Sequence, residues 1–154
     1  MCLGIVGLGK AIELAYENFD EKNKKTIELR DYYVSEVQKR IPYIKINGDM
    51  VKRLPGNSNI SFKYIEGESL LLNLDIKGIA ASSGSACTSG SLDPSHVLLA
   101  IGVPHEIAHG SLRITIGKYN TKEEVDYLLD SLTEIVQRLR DMSPLYEKVK
   151  KGEE

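Results

Sequence analysis

Between residues 6 and 41 the chain contains no proline, and its last glycine there is Gly9. Apolar side chains recur through this stretch at Leu8, Ile12, Ala15 and Phe19, then at Ile27, Tyr33 or Val34, Val37 and Ile41. Steps of three and four place them on one stripe of a helix, the side that should be buried. The middle, residues 20–26 (DEKNKKT), is wholly polar. Either one long helix crosses solvent there, or the helix bends. Pro42 ends it, because the residue before a proline is pushed out of the helical region.

Beyond Pro42 the elements shorten. Residues 44–47 alternate and predict a short strand before Gly48-Asp49, and RLPGN (53–57) predicts a turn. Residues 60–64 are strand-like, 68–74 form a short apolar helix ended by Lys77-Gly78, and 79–81 predict another short strand. Asp93 is placed to cap a helix with Pro94 at its first position, running to about residue 101. Leu112, Ile114 and Ile116 alternate with Arg113 and Thr115, the pattern of a strand with one buried face. Thr121 and Glu124 make a capping box for the last helix. Its stripe is Val125, Leu128 or Leu129, Leu132, Ile135 or Val136, and Leu139. From Lys148 a frayed, lysine-rich tail is expected. Helices interleaved with a few short strands predict an α+β domain, one small sheet covered on one side by helices.

The 154 residues suit one domain with an ordinary core. At 42% hydrophobic and 27% charged, the chain reads as globular. Its 20 basic and 22 acidic residues are mixed along the sequence. That balance gives no basis for a nucleic-acid or anionic-membrane partner. Two cysteines, Cys2 and Cys87, cannot build a disulfide framework, which points to a reducing compartment. The start carries no secretory leader pattern, and no apolar run approaches the roughly 18 residues of a membrane span. A soluble cytoplasmic protein is expected.

Chemistry concentrates in one run: Ser82, Ser83, Gly84, Ser85, Ala86, Cys87, Thr88, Ser89, Gly90 and Ser91. A single cysteine stands among small residues, between ordered elements, with no second cysteine nearby for redox or metal work. On composition alone, a thiol tucked under a surface loop and a thiol that meets another molecule are both open.

Three other motifs invite a function. Gly4-x-x-Gly7-x-Gly9-Lys10 has the wrong spacing for a phosphate loop, and Ala11 follows the lysine, so small residues starting a packed helix are expected instead. His105-Glu106-Ile107-Ala108-His109 matches the HExxH zinc pattern. Pro104 and Gly110 confine any helix there to about five residues, and no third ligand follows in an obvious pattern, so a turn is expected. Arg113 stands on the polar face of its strand. It is either a solvated or ion-paired arginine, or a guanidinium fork that holds a carboxylate by two hydrogen bonds.

SSGSACTSGSLDPSHVL and AHGSLRITIG, with NISFKYIEGESLLLNL before them and RLRDMSPLYEKVKKG after, resemble the NifS/IscS-type cysteine desulfurases. These are pyridoxal-phosphate enzymes of aminotransferase class V. The resemblance runs from about Gly4 to Gly152, with SGSLDPSHVL and AHGSLR nearer the NifS side. It implies the small C-terminal domain of the fold-type I transferases, with a mainly antiparallel sheet. Residues 1–42 would be the long interdomain helix, and 43–154 the small domain carrying the active loop at 82–93. It also favours one long helix over a bent one.

The resemblance implies further that Cys87 is the nucleophile. Its thiolate takes sulfur from L-cysteine, leaving L-alanine and a protein persulfide for iron–sulfur cluster assembly. A glycine- and serine-rich loop suits a thiol that must swing, and should be mobile when no large domain covers it. Arg113 would bind the substrate carboxylate. No resident metal is implied, only a transient contact of Cys87 with an iron–sulfur centre. The implied partners are a large pyridoxal-phosphate domain on missing residues or another chain, an iron–sulfur scaffold protein as acceptor, and a second copy in a homodimer. The family's Schiff-base lysine lies in a Ser-x-His-Lys segment. Here Val97, Glu106 and Gly110 follow the three histidines. The chain alone is therefore expected to hold no cofactor and to be inactive. The alternative is a non-catalytic sulfur-relay or scaffold-docking module that carries persulfide on Cys87 without making it.

Overall fold

A computed structural model describes residues 2–83 and 94–152. Helix α1 (Cys2–Tyr16) and helix α2 (Phe19–Arg40) replace the single expected helix. They part at Asn18, whose φ of 52° is left-handed. Asparagine adopts that conformation more readily than most residues, because its short amide bonds locally. The bend therefore falls before the polar segment 20–26, which is helical within α2. Asp20 and Glu21 open α2, and Lys39 and Arg40 close it, matching the helix dipole.

The apolar stripe divides at the same point. Tyr33, Val34 and Val37 of α2 are buried, with Ile41 just beyond, whereas α1 buries nothing. Leu8, Ile12 and Phe19 are 63%, 51% and 49% exposed, so the burial expected of them is not reached among the described residues. The partners of α2 lie along its C-terminal half, and α1 runs past them.

Strands β1 (Ile44–Ile46), β2 (Asn57–Phe62) and β3 (Ser111–Thr115) form an antiparallel sheet in the order β1-β2-β3. Ile46 faces Ile60, and Asn59 faces Arg113. β2 begins earlier than the pattern suggested, because Asn57 and Ser58 pair with Thr115 and Ile114. Helix α3 (Gly67–Ile76) stops before Gly78, whose φ is 75°. The strand expected at 79–81 does not form. Ile79 and Ala81 lean on the core, and the chain makes one isolated bridge, Ser82 to Arg113.

Helix α4 (His96–Ala100) starts after Ser95, two residues later than expected, and Asp93 lies outside the described residues. Helix α5 (His105–Ala108) is a single turn. Helix α6 (Lys122–Asp141) starts on the expected box: Thr121 accepts from the Glu124 amide, and Glu124 reaches back to the Thr121 amide. The expected frayed tail is instead helix α7 (Pro144–Lys151), with proline in its first turn and Gly152 at φ 72° stopping it. Its Tyr146 is buried, and that contact orders the segment.

One face of the sheet (Ile60, Phe62, Leu112, Ile114) joins Val34 and Val37 of α2, Leu70 and Leu74 of α3, and Leu129, Leu132, Ile135 and Val136 of α6 in one core. The fold is α+β, as the patterning and the resemblance both implied.

Candidate functional site

The other face of the sheet is polar. Cross-strand register places Lys45 with Ser61, Asn59 with Arg113, Asn57 with Thr115 and Ser61 with Ser111 on that side. Leu112 and Ile114 are buried while Arg113 and Thr115 are exposed, so the alternation read from LRITI holds.

Ser82 is the first residue of the cysteine run, five positions before Cys87. Its backbone N–H donates to the Arg113 carbonyl at 3.2 Å, and its carbonyl accepts from the Arg113 N–H at 2.7 Å. Its hydroxyl donates to the Ser83 carbonyl at 3.2 Å. The structure thus joins the entry of the run to the strand residue proposed as carboxylate clamp. Gly84, Ser85, Ala86, Cys87, Thr88, Ser89, Gly90 and Ser91, together with the mobility expected of that loop, lie outside the described residues.

Sequence reading missed the residues beside Arg113. Asn47, just past β1, donates from Nδ2 to Asn59 Oδ1 at 2.7 Å and to Ser61 Oγ at 2.8 Å. Its own backbone N–H bonds the Asn59 carbonyl at 2.9 Å. Asn47 is 4% exposed, and its Oδ1 is buried without a partner among the described residues. An orphaned buried acceptor costs about 1–3 kcal/mol, which the two bonds from Nδ2 offset. The available signal was the spacing Asn57-x-Asn59-x-Ser61, polar at every second position of a strand.

The remaining motifs fall elsewhere. Gly4, Gly7 and Gly9 lie in α1, where a Cβ at any of them would meet nothing, so they do not serve close packing within this chain. His105 and His109 bracket α5 with rings edge-on, centroids 4.7 Å apart. Among the described residues no three His, Cys, Asp or Glu side chains gather to hold a metal. Cys2 is exposed on α1. A groove of about 560 Å³ runs between Phe19, Lys22, Ile116 and Lys118, and no candidate site residue lines it. No helix among the described residues is long and apolar enough to cross a membrane.

Pyridoxal phosphate requires a lysine for its aldehyde and a counter-group for its ring nitrogen. The polar sheet face offers one lysine, Lys45, on the strand farthest from Arg113, and no carboxylate. These residues do not fit the cofactor, which a complete enzyme would hold on other residues.

A small α+β domain with one polar sheet face, an arginine on it and a cysteine run tied to it suits a part of a larger transferase. The chain belongs to the aminotransferase class-V family, whose model matches residues 1–128. It is 58% identical over 153 residues to a cysteine desulfurase IscS of Clostridium botulinum, covering 98% of this chain and 38% of that protein. A cysteine desulfurase IscS of Dictyoglomus turgidum is 55% identical over 141 residues, covering 92% and 36%. Among solved structures, a NifS-like protein superposes with a TM-score of 0.76 at 37% identity, over 88% of this chain and 34% of that one. A NifS-like protein from Rickettsia africae gives 0.76 at 29% identity, with the same coverages. The chain therefore spans little more than a third of the length of the relatives it matches.

Proposed function

We propose that this chain is the C-terminal part of a cytoplasmic cysteine desulfurase that removes sulfur from L-cysteine for iron–sulfur cluster assembly. The observation that carries the reading is the pairing of Ser82 with Arg113, which fixes the first residue of the cysteine run to the strand that carries the guanidinium. Arg113 binds the substrate carboxylate. Cys87 attacks the substrate sulfur as a thiolate, forming a persulfide and leaving alanine. Pyridoxal phosphate, held by the region that the relatives carry beyond this match, supplies the electron sink. That region also covers the apolar side chains that α1 exposes, since the relatives continue far beyond the matched third. A scaffold protein receives the sulfur, and the complete enzyme is a homodimer.

The test joins the chain to, or co-expresses it with, such a large domain and measures alanine and sulfide formed from cysteine. Cys87→Ala should abolish sulfur release while cysteine still binds. Arg113→Ala should raise KM by about one to two orders of magnitude, the worth of a charged bidentate contact. Full sulfur release by Cys87→Ala would remove the cysteine from the mechanism. A chain that accepts persulfide from a donor, yet restores no desulfuration in any such pairing, would be the relay module.

A further inference from the structure

We infer that Asn59 is a second donor to the substrate's α-carboxylate, set beside Arg113 and held in place by Asn47. The inference rests on the reading of Arg113 as the carboxylate clamp. Arg113 turns both its backbone N–H and its carbonyl toward Ser82, at 2.7 and 3.2 Å. Asn59 turns its carbonyl the other way, toward the Asn47 N–H at 2.9 Å. The two face each other in register, so they form a non-hydrogen-bonded antiparallel pair. In such pairs the Cα atoms approach to about 4.5 Å, and the side chains stand nearest each other on one face.

The Asn59 amide has a defined orientation. Its Oδ1 is taken by Asn47 Nδ2 at 2.7 Å, and its Nδ2 donates no hydrogen bond among the described residues. Asn47 also grips Ser61 Oγ at 2.8 Å, and its own buried Oδ1 finds no partner among the described residues. The result is a fixed N–H donor on the same sheet face as the Arg113 side chain, one strand away and directly opposite it in register. A carboxylate has about four acceptor sites, and a guanidinium fork occupies two of them. A neutral amide fills a third without adding charge. The ligand group this pair suits is a carboxylate, here that of the amino-acid substrate.

The experiment uses the completed desulfurase and steady-state kinetics with L-cysteine, with thermal midpoints recorded alongside. Asn59→Ala should raise KM about tenfold with kcat within about twofold, a split that mere structural damage does not produce. Asn59→Asp keeps the side-chain volume and the acceptor for Asn47, but sets a negative charge against the substrate carboxylate. It should raise KM further, and it keeps the test decisive should the alanine variant fold poorly. Asn47→Ala should raise KM by a smaller factor. If Arg113→Ala raises KM while Asn59→Ala and Asn59→Asp leave it unchanged, the inference falls and the clamp reading stands. If Arg113→Ala leaves KM unchanged, both fall.

Discussion

Ser82 and Arg113 exchange both of their backbone hydrogen bonds, in a bridge that is isolated among the described residues. The residue that carries the guanidinium is therefore also the one that anchors the segment leading to Cys87. Proline at position 82 removes the 3.2 Å donor while leaving the neighbouring sequence intact. In the completed enzyme, Ser82→Pro should lower kcat/KM for sulfide release by roughly one to two orders of magnitude, the usual consequence of misplacing a reacting group by about 1 Å. Ser82→Thr, which keeps the N–H, should stay near wild type. Equal activity in both variants would show that the bridge is dispensable.

Gly110 lies directly under the Phe62 carbonyl, whose N–H it also satisfies at 2.8 Å. A Cβ there would stand well inside contact distance of Phe62 O, and 3.0 Å from Ile65 O. Both obstacles are backbone and cannot rotate aside. Gly110→Ala should cost about 3 kcal/mol, read as a lowered urea midpoint at unchanged slope. By contrast, Gly7→Ala, with open space around it, should be neutral or stabilising.

Arg140 is 1% exposed and donates to the carbonyls of Lys63 at 3.2 Å and Tyr43 at 3.1 Å. Its guanidinium also lies 5.7 and 5.6 Å from the rings of Tyr43 and Tyr146. Arg140→Ala should cost about 3 kcal/mol, since it leaves a cavity and takes the side-chain donor from the Lys63 carbonyl, while the Tyr43 carbonyl keeps the Lys63 N–H. Arg140→Lys should recover only part, because an ammonium does not reproduce the planar fork. Chemical denaturation of the three proteins decides it.

Asp126 joins α6 to α2: Lys122 donates to its Oδ2 at 2.7 Å, and the Tyr32 hydroxyl donates to its Oδ1. Lys122 first, then Tyr32, holds this carboxyl below its ordinary value. Glu124 is lowered too, by Asn120 and then by the Thr121 amide. A folded-state pKa below the unfolded value, about 3.9 for aspartate, gives stabilisation that is fully present above that value. It is lost as pH falls through the folded pKa. Unfolding midpoints for wild type and Asp126→Asn should therefore differ near neutrality and converge as pH drops below about 4. A constant gap down to acid pH would contradict the assignment.

Patterns that depend on neighbours along the chain were legible in the sequence. The alternation in LRITI set the two faces of β3, the Thr121–Glu124 box started α6, and Pro42 stopped α2, because each acts within a turn or a strand repeat. Periodicity also marked the apolar stripe of α1, but a stripe declares only that a partner is wanted. Ala11, Leu14 and Ala15 line an open groove with Gly56 and Ile116, but no described element packs closely enough on α1 to bury any of its side chains. The helix at 144–151 escaped notice for the converse reason, since its order comes from burying Tyr146 against Tyr43 and Tyr64, far away in sequence, and against Arg140 at the end of α6.

The candidate site divides the same way. Residue chemistry marked Cys87 and Arg113 as local anomalies, a lone thiol among glycines and serines and a charge on an apolar strand, and the family resemblance supplied their proposed roles. Asn47, Asn59 and Ser82 are ordinary residues in the sequence. Antiparallel register brings Asn59 opposite Arg113, carries Asn47 to its amide and ties Ser82 to the same strand. Register is set by the whole buried face of the sheet, and a slip of one residue would turn every one of these side chains away.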